Sequence, residues 1–304
     1  MVFGKVRQIR LGTMSLAALL LAGCAMMQEP APVVPPAPTE PPAAMQYLYG
    51  SGEAAAASVQ AYRAMVEHVI AGRAGNPEQS VVLSSGSTLA APGFVLCGDK
   101  PPAVVFDIDE TAIANLGYEY DQAAKARSYD EARWGRWEQT GTTAVTPVPG
   151  AADAIAELRK AGVAVVFNSN RSAANVAWTA DMINRAGLGK AVHGQTLFLS
   201  GDDATGSAKD GRRAKIAQKY CVIAMVGDQL GDFSDLFNAI PSVAERRKAA
   251  SSGPIAKLWG AGWFVLPNPV YGSGLKGSFD DVFPADKRWT DPADQGASNA
   301  VDPR

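Results

Sequence analysis

Four polar signatures follow one another along this 304-residue chain and suggest a chemistry. They are Asp107-Ile108-Asp109-Glu110-Thr111, Ser169-Asn170-Arg171, Lys209, and Gly227-Asp228-Gln229-Leu230-Gly231-Asp232. In a strand-to-loop turn, Asp107 and Asp109 can point toward the same side. Carboxylates that close repel unless a cation or a proton lies between them. Magnesium suits such a pair, because it takes a few carboxylates together with waters and phosphate oxygens. Asp228 can supply a further carboxylate. Carboxylates gathered at the ends of buried strands are what metal-assisted phosphoryl transfer requires.

The elements that must position these groups are legible as apolar runs. Ala103–Phe106, Val163–Phe167 and Cys221–Val226 read as buried strands, each ending at one of the signatures. Thr196–Leu199 and Trp263–Leu266 read as two more. Helices are expected over Ser58–Ile70, Ala151–Ala161, Ala173–Ala186 and Lys209–Tyr220, from apolar residues at helical spacing and from glycines past their ends. Strands alternating with helices predict an α/β, Rossmann-like parallel sheet covered by helices on both faces. Ligands of such sheets bind outside the carboxyl ends of the strands. Residues 112–147 lack a strand pattern and carry Tyr118, Tyr120, Tyr129, Trp134 and Trp137. They read as a small, mostly helical cap, and Tyr118, Tyr120, Trp134 and Trp137 are candidates for a substrate wall. A small local aromatic core is the competing reading.

The ends of the chain suggest a location. Lys5, Arg7 and Arg10 precede the short apolar run Leu16–Ala22, so residues 1–23 read as a secretory leader. The leader ends at Leu21-Ala22-Gly23-Cys24, which resembles a bacterial lipobox with Cys24 as the lipidated first residue. Ala25 after the cysteine points to the outer membrane, with the domain in the periplasm. Loss of the leader takes the formal charge from −2 to −5, and neither value suggests a nucleic-acid polymer as partner. Seven prolines between Glu29 and Ala43 make residues 24–44 a semi-rigid tether. The catalytic domain is expected over 45–284, followed by a polar tail over 285–304. Cys97 and Cys221 flank different strands, and an exported compartment leaves a disulfide and two buried thiols equally open.

The motifs together resemble the haloacid dehalogenase (HAD) superfamily, and within it the class C bacterial acid phosphatases of subfamily IIIB, including outer-membrane lipoprotein 5′-nucleotidases. The resemblance covers most of residues 46–273. It rests on Asp107–Thr111, Val148-Pro149-Gly150-Ala151, Asn168–Arg171, Gly227–Phe233 and Val265-Leu266-Pro267-Asn268-Pro269-Val270-Tyr271-Gly272. It implies a magnesium-dependent phosphomonoesterase acting on nucleotides or other small phosphate esters. Asp107 would be the nucleophile, and Asp109 the proton shuttle with its main-chain carbonyl on the metal. Asp228 would ligate magnesium, with Asp232 reaching it through water. Ser169, Asn170 and Lys209 would hold the phosphoryl group. Gln229 stands where relatives usually carry Asn.

Some alternatives stay open at this stage. Lys215 rivals Lys209, and Arg171 could serve either a carboxylate or the substrate. The same residues would also suit a phosphotransferase. A non-catalytic surface lipoprotein has no need for a nucleophile and a general acid two residues apart. A homodimer is left open.

Overall fold

The computed structural model describes residues 38–73 and 77–292. The leader, Cys24, most of the tether and the end of the tail lie outside the described residues. The strands are β1 (Gln79–Leu83), β2 (Phe94–Leu96), β3 (Pro102–Phe106), β4 (Ile113–Ala114), β5 (Thr146–Pro147), β6 (Ala164–Ser172), β7 (Leu197–Ser200), β8 (Cys221–Gly227) and β9 (Trp263–Val265). The α-helices are α1 (Ala43–Met45), α2 (Gly52–Arg73), α3 (Leu116–Ala124), α4 (Glu131–Thr140), α5 (Ala151–Lys160), α6 (Val176–Arg185), α7 (Asp210–Lys219), α8 (Val243–Ser251), α9 (Gly253–Ala256) and α10 (Phe279–Val282). Among the described residues, no helix is long and apolar enough to cross a membrane.

Five parallel strands form the main sheet in the order β7-β6-β3-β8-β9. β3 comes first in the chain and lies in the middle. The chain winds outward from it on both sides, which makes its carboxyl end a switch point where ligands bind. The period-2 alternation of a strand sorts the core into two layers. Val104, Phe106, Val165 and Phe167 pack on one face with Tyr62 and Met65 of α2, Ile155 and Leu158 of α5, and Ile183 of α6. Ala103, Val105 and Val166 pack on the other with Ile216 of α7, Phe233, Phe237 and Trp263.

Three features differ from the expectations. α2 starts at Gly52, and the following residues build a hairpin, β1–β2, absent from the sequence reading. Trp263 Nε1 donates to Val81 O at 2.9 Å, tying that hairpin to the main sheet. β6 runs through Ser172, so Ser169 and Arg171 belong to the strand rather than to the loop after it. The helix expected over Ala173–Ala186 begins as a 3₁₀ turn, Ala173–Asn175, before α6.

Cys97, just past β2, and Cys221, at the start of β8, are disulfide-bonded with Cα atoms 4.6 Å apart. This resolves the question left open by the sequence.

The cap is pinched at its base by the antiparallel pair β4–β5, where Ile113 faces Pro147. Between them lie α3 and α4. Asp130 caps α4, its carboxylate accepting from the Arg133 N–H at 2.6 Å. Trp137 of α4 lies against Gly117 and Gly141, where any Cβ would enter its ring. The expected tail begins with a 3₁₀ turn, Ala285–Lys287.

Candidate active site

The central strand delivers Asp107 to the sheet edge, where its N–H bonds Val226 O at 2.9 Å. The chain then turns sharply. Glu110 sits in the left-handed region at φ 53°, a conformation that costs a non-glycine residue about 1–3 kcal/mol unless its surroundings hold it. Those surroundings are dense. The Glu110 carboxylate accepts from Asn115 N (2.8 Å), from Tyr49 OH (3.1 Å) and from Tyr271 OH. Burial pushes its carboxyl up to about 8. Tyr62 OH of α2 donates to Thr111 O at 2.7 Å beneath the turn.

The turn sends Asp107 and Asp109 to different partners. Lys209 is 5% exposed, and its Nζ donates to Asp107 Oδ1 at 2.5 Å and to Asp232 Oδ1 at 2.7 Å. Asp109 instead meets Arg171, whose Nε and Nη2 reach it at 3.0 and 2.7 Å. Ser169 Oγ lies 3.4 Å from the other Asp109 oxygen. Asn115 Oδ1 accepts from both Arg171 Nη2 (2.9 Å) and Trp137 Nε1 (3.1 Å), so the cap and the proton-shuttle candidate share one network.

Asp107, Asp228 and Asp232 form a buried cluster, each with a carboxylate oxygen within 4.8 Å of the others. Asp228 accepts from Thr111 Oγ1 (3.0 Å), Gln229 Nε2 (2.9 Å) and Asn268 Nδ2 (2.8 Å). Asp232 Oδ2 accepts from Gln229 N at 2.8 Å. Burial, reinforced by the neighbouring carboxylates and opposed by Lys209, holds the Asp107 carboxyl well above the usual range. Burial and then Asp232 push Asp228 up to about 6. Burial pulls the Lys209 ammonium down, and the charges of Asp107 and Asp232 more than reverse that. With all three carboxylates ionised, the one ammonium leaves an excess of two negative charges. A divalent cation of the oxygen-seeking kind fits this donor set in charge and chemistry.

These groups floor a cavity of about 550 Å³. Asp107, Asp109, Ser169, Asn170, Lys209 and Asp228 all line it. Asn170 presents its side chain there with Oδ1 held by Arg212 Nη2 at 2.6 Å. Lys215 is excluded, since its Nζ donates to the main-chain oxygen of Asp202 instead. Asp232, expected behind a water, has its carboxylate in the buried cluster itself. The Asp109 carboxylate lies outside that cluster and is engaged by Arg171.

The aromatic wall is only partly as expected. Tyr118 and Trp134 line the cavity and meet edge to face, with ring centroids 4.9 Å apart. Tyr120 is 75% exposed and borders a different cavity. Trp137 stands behind the wall, in the Asn115 network. Tyr129 and Tyr271 complete the lining. Thr111, Asn115, Asn268 and Tyr271 were not singled out from sequence, although each lies inside or beside a quoted motif.

A family model described as HAD superfamily, subfamily IIIB (Acid phosphatase), matches residues 54–274. The curated protein "Acid phosphatase 1" of Solanum lycopersicum is 26% identical over 174 residues, covering 55% of this chain and 57% of that protein. The chain thus spans just over half the length of that relative. The solved class C acid phosphatase from Bacillus anthracis with tungstate bound has a TM-score of 0.62 at 22% identity, covering 86% of this chain and 96% of that chain. A second structure of that enzyme gives the same values. At this identity the likeness is one of fold.

Proposed function

The chain belongs to subfamily IIIB of the HAD superfamily, the acid phosphatases, and on that premise we propose that it hydrolyses small phosphate monoesters through a covalent intermediate on Asp107. The observation that carries this reading is the buried Asp107–Asp228–Asp232 cluster at the floor of an aromatic-walled cavity, with Lys209 bridging Asp107 and Asp232.

Asp107 is the nucleophile. A carboxylate oxygen attacks phosphorus, the bond to the leaving oxygen breaks, and an aspartyl-phosphate forms. Lys209 opposes the effect of burial on the Asp107 carboxyl and offers its charge to the phosphoryl oxygens. Ser169 presents a hydroxyl to the same group, and Asn170 an amide. Asp109 donates a proton to the leaving alkoxide and then takes one from the attacking water. Arg171 and Asn115 fix the orientation of its carboxylate for both steps. Asp107, Asp228 and Asp232 would hold the divalent cation, which we take to be magnesium. When bound, it neutralises charge on the phosphoryl oxygens. Fixed charges at the cavity floor supply most of what phosphoryl transfer needs.

Nucleotides, stacked on Trp134 and Tyr118, are among the expected esters. Export and lipid anchoring at Cys24 are part of the same proposal, supported by the disulfide, which suits an oxidising compartment.

The test is hydrolysis of p-nitrophenyl phosphate by the purified chain, with magnesium and with EDTA. Magnesium-dependent release that Asp107→Asn abolishes is the expected result. Full activity in Asp107→Asn would sink the nucleophile assignment.

A further inference from the structure

The cavity wall holds one carboxylate that the reaction above does not use. Glu119 of α3 is 4% exposed and borders the same cavity as Asp107 and Lys209. Its Oε2 is buried and has no hydrogen-bond partner among the described residues. Folded chains satisfy nearly all such atoms, with protein, water or ligand.

No neighbouring side chain donates to it, although Arg133 Nε is likewise buried without a hydrogen-bond partner among the described residues. Arg133 of α4 is the cation whose charge Glu119 feels, yet its terminal nitrogens are spent on Asp121, Tyr118, Gln122 and Ser128 O. Tyr49, which lines a neighbouring cavity together with Glu119, feels the Glu119 charge but gives its hydroxyl to Glu110. Burial pushes the Glu119 carboxyl up to about 7, so a bound cation would stabilise its ionised form. The same wall carries Tyr118, Tyr129 and Trp134. A flat leaving group held against that wall can bring a positive nitrogen to the carboxylate.

We infer that Glu119 is a specificity-determining residue that pairs with a protonated amine on the leaving group, selecting phosphate monoesters of ring-bearing amines. This rests on the phosphatase reading and deepens it by naming a substrate class. Glu119 touches neither the phosphoryl group nor the metal-binding carboxylates, so its effect falls on the choice between esters.

The test uses the full chain with magnesium and two probes, pyridoxamine 5′-phosphate and pyridoxine 5′-phosphate. They differ at one substituent, an aminomethyl against a hydroxymethyl group. A charge-assisted hydrogen bond predicts a kcat/KM ratio of about tenfold or more in favour of the amine. Glu119→Gln should bring the ratio to within about threefold of unity, and Glu119→Asp should keep a preference in the original direction. The wild-type ratio tests the inference without any variant, and thermal melting checks that each variant is folded. Hydrolysis of p-nitrophenyl phosphate with no preference between the probes overturns this inference alone. A preference unchanged in folded Glu119→Gln also overturns it. No hydrolysis of any of the three esters overturns the phosphatase reading together with this one.

Discussion

Replacing Lys209 with Met tests the site most directly, because this one ammonium holds two of its carboxylates. Nζ lies 2.5 Å from Asp107 and 2.7 Å from Asp232. At an effective dielectric of about 20, each contact has a gross attraction of about 6–7 kcal/mol. Desolvation of the charges offsets much of that, and removing one partner of a buried pair costs about 3–5 kcal/mol net. The share that bears on the transition state is the charge offered to the phosphoryl oxygens, for which loss of one donor lowers kcat about 10²–10³-fold. The assay is kcat for p-nitrophenyl phosphate at saturating magnesium. Lys215→Met is the control, because Lys215 sits on the same helix, is exposed, and among the described residues hydrogen-bonds the Asp202 main chain alone. It should stay within about twofold of wild type. Without metal, Lys209→Met leaves Asp107, Asp228 and Asp232 with no cation among them. Magnesium should therefore raise its melting temperature more than it raises that of wild type. A folded Lys209→Met variant that loses less than about tenfold in kcat, or a Lys215→Met variant that loses as much, would refute the assignment.

Three further outcomes are expected. Cys97 and Cys221 are 124 residues apart, and chain entropy puts the contribution of their bond at up to about 5 kcal/mol. Cys97→Ser with Cys221→Ser should lower the urea midpoint markedly, and superimposable unfolding curves would contradict this. Trp134→Ala should raise KM for aryl and nucleoside esters by about two- to tenfold through lost ring contact. Tyr120→Ala should leave KM unchanged, and a larger effect at Tyr120 would reverse the wall as drawn. The Glu119 carboxyl stands at about 7 in the fold against an ordinary 4.5. A raised carboxyl makes ionisation costly in the fold, so the penalty grows as pH rises from 4.5 to about 7 and is full above that. Glu119→Gln should therefore raise the melting temperature relative to wild type at pH 8 and much less at pH 5, and equal shifts at both would count against the burial described.

How far the chain could be read from its residues depended on whether partners were near in sequence. The strands β3, β6 and β8 are continuous apolar runs, so each was visible by itself, and each displays its polar residues at its own end. Arg171 was undecidable because its partner, Asp109, lies 62 residues away. The hairpin β1–β2 was missed because its strands are short and half-buried, and because what fixes it is Trp263 and the disulfide, both remote in sequence. The aromatics failed for a different reason. Once 116–124 is a helix, Tyr118 and Tyr120, two residues apart, must face opposite ways, and they do. Trp134 and Trp137, three apart, share a helical face, yet Gly117 and Gly141 leave a recess that takes Trp137 alone. Helical spacing would have separated the tyrosines. Only packing separates the tryptophans. The charge balance of the site has the same limit. Asp107, Asp228 and Lys209 were visible as types, but the ionised cluster exceeds its ammonium by two negative charges, and so suits a divalent cation, only because the 3₁₀ turn Leu230–Asp232 brings a third carboxylate to it.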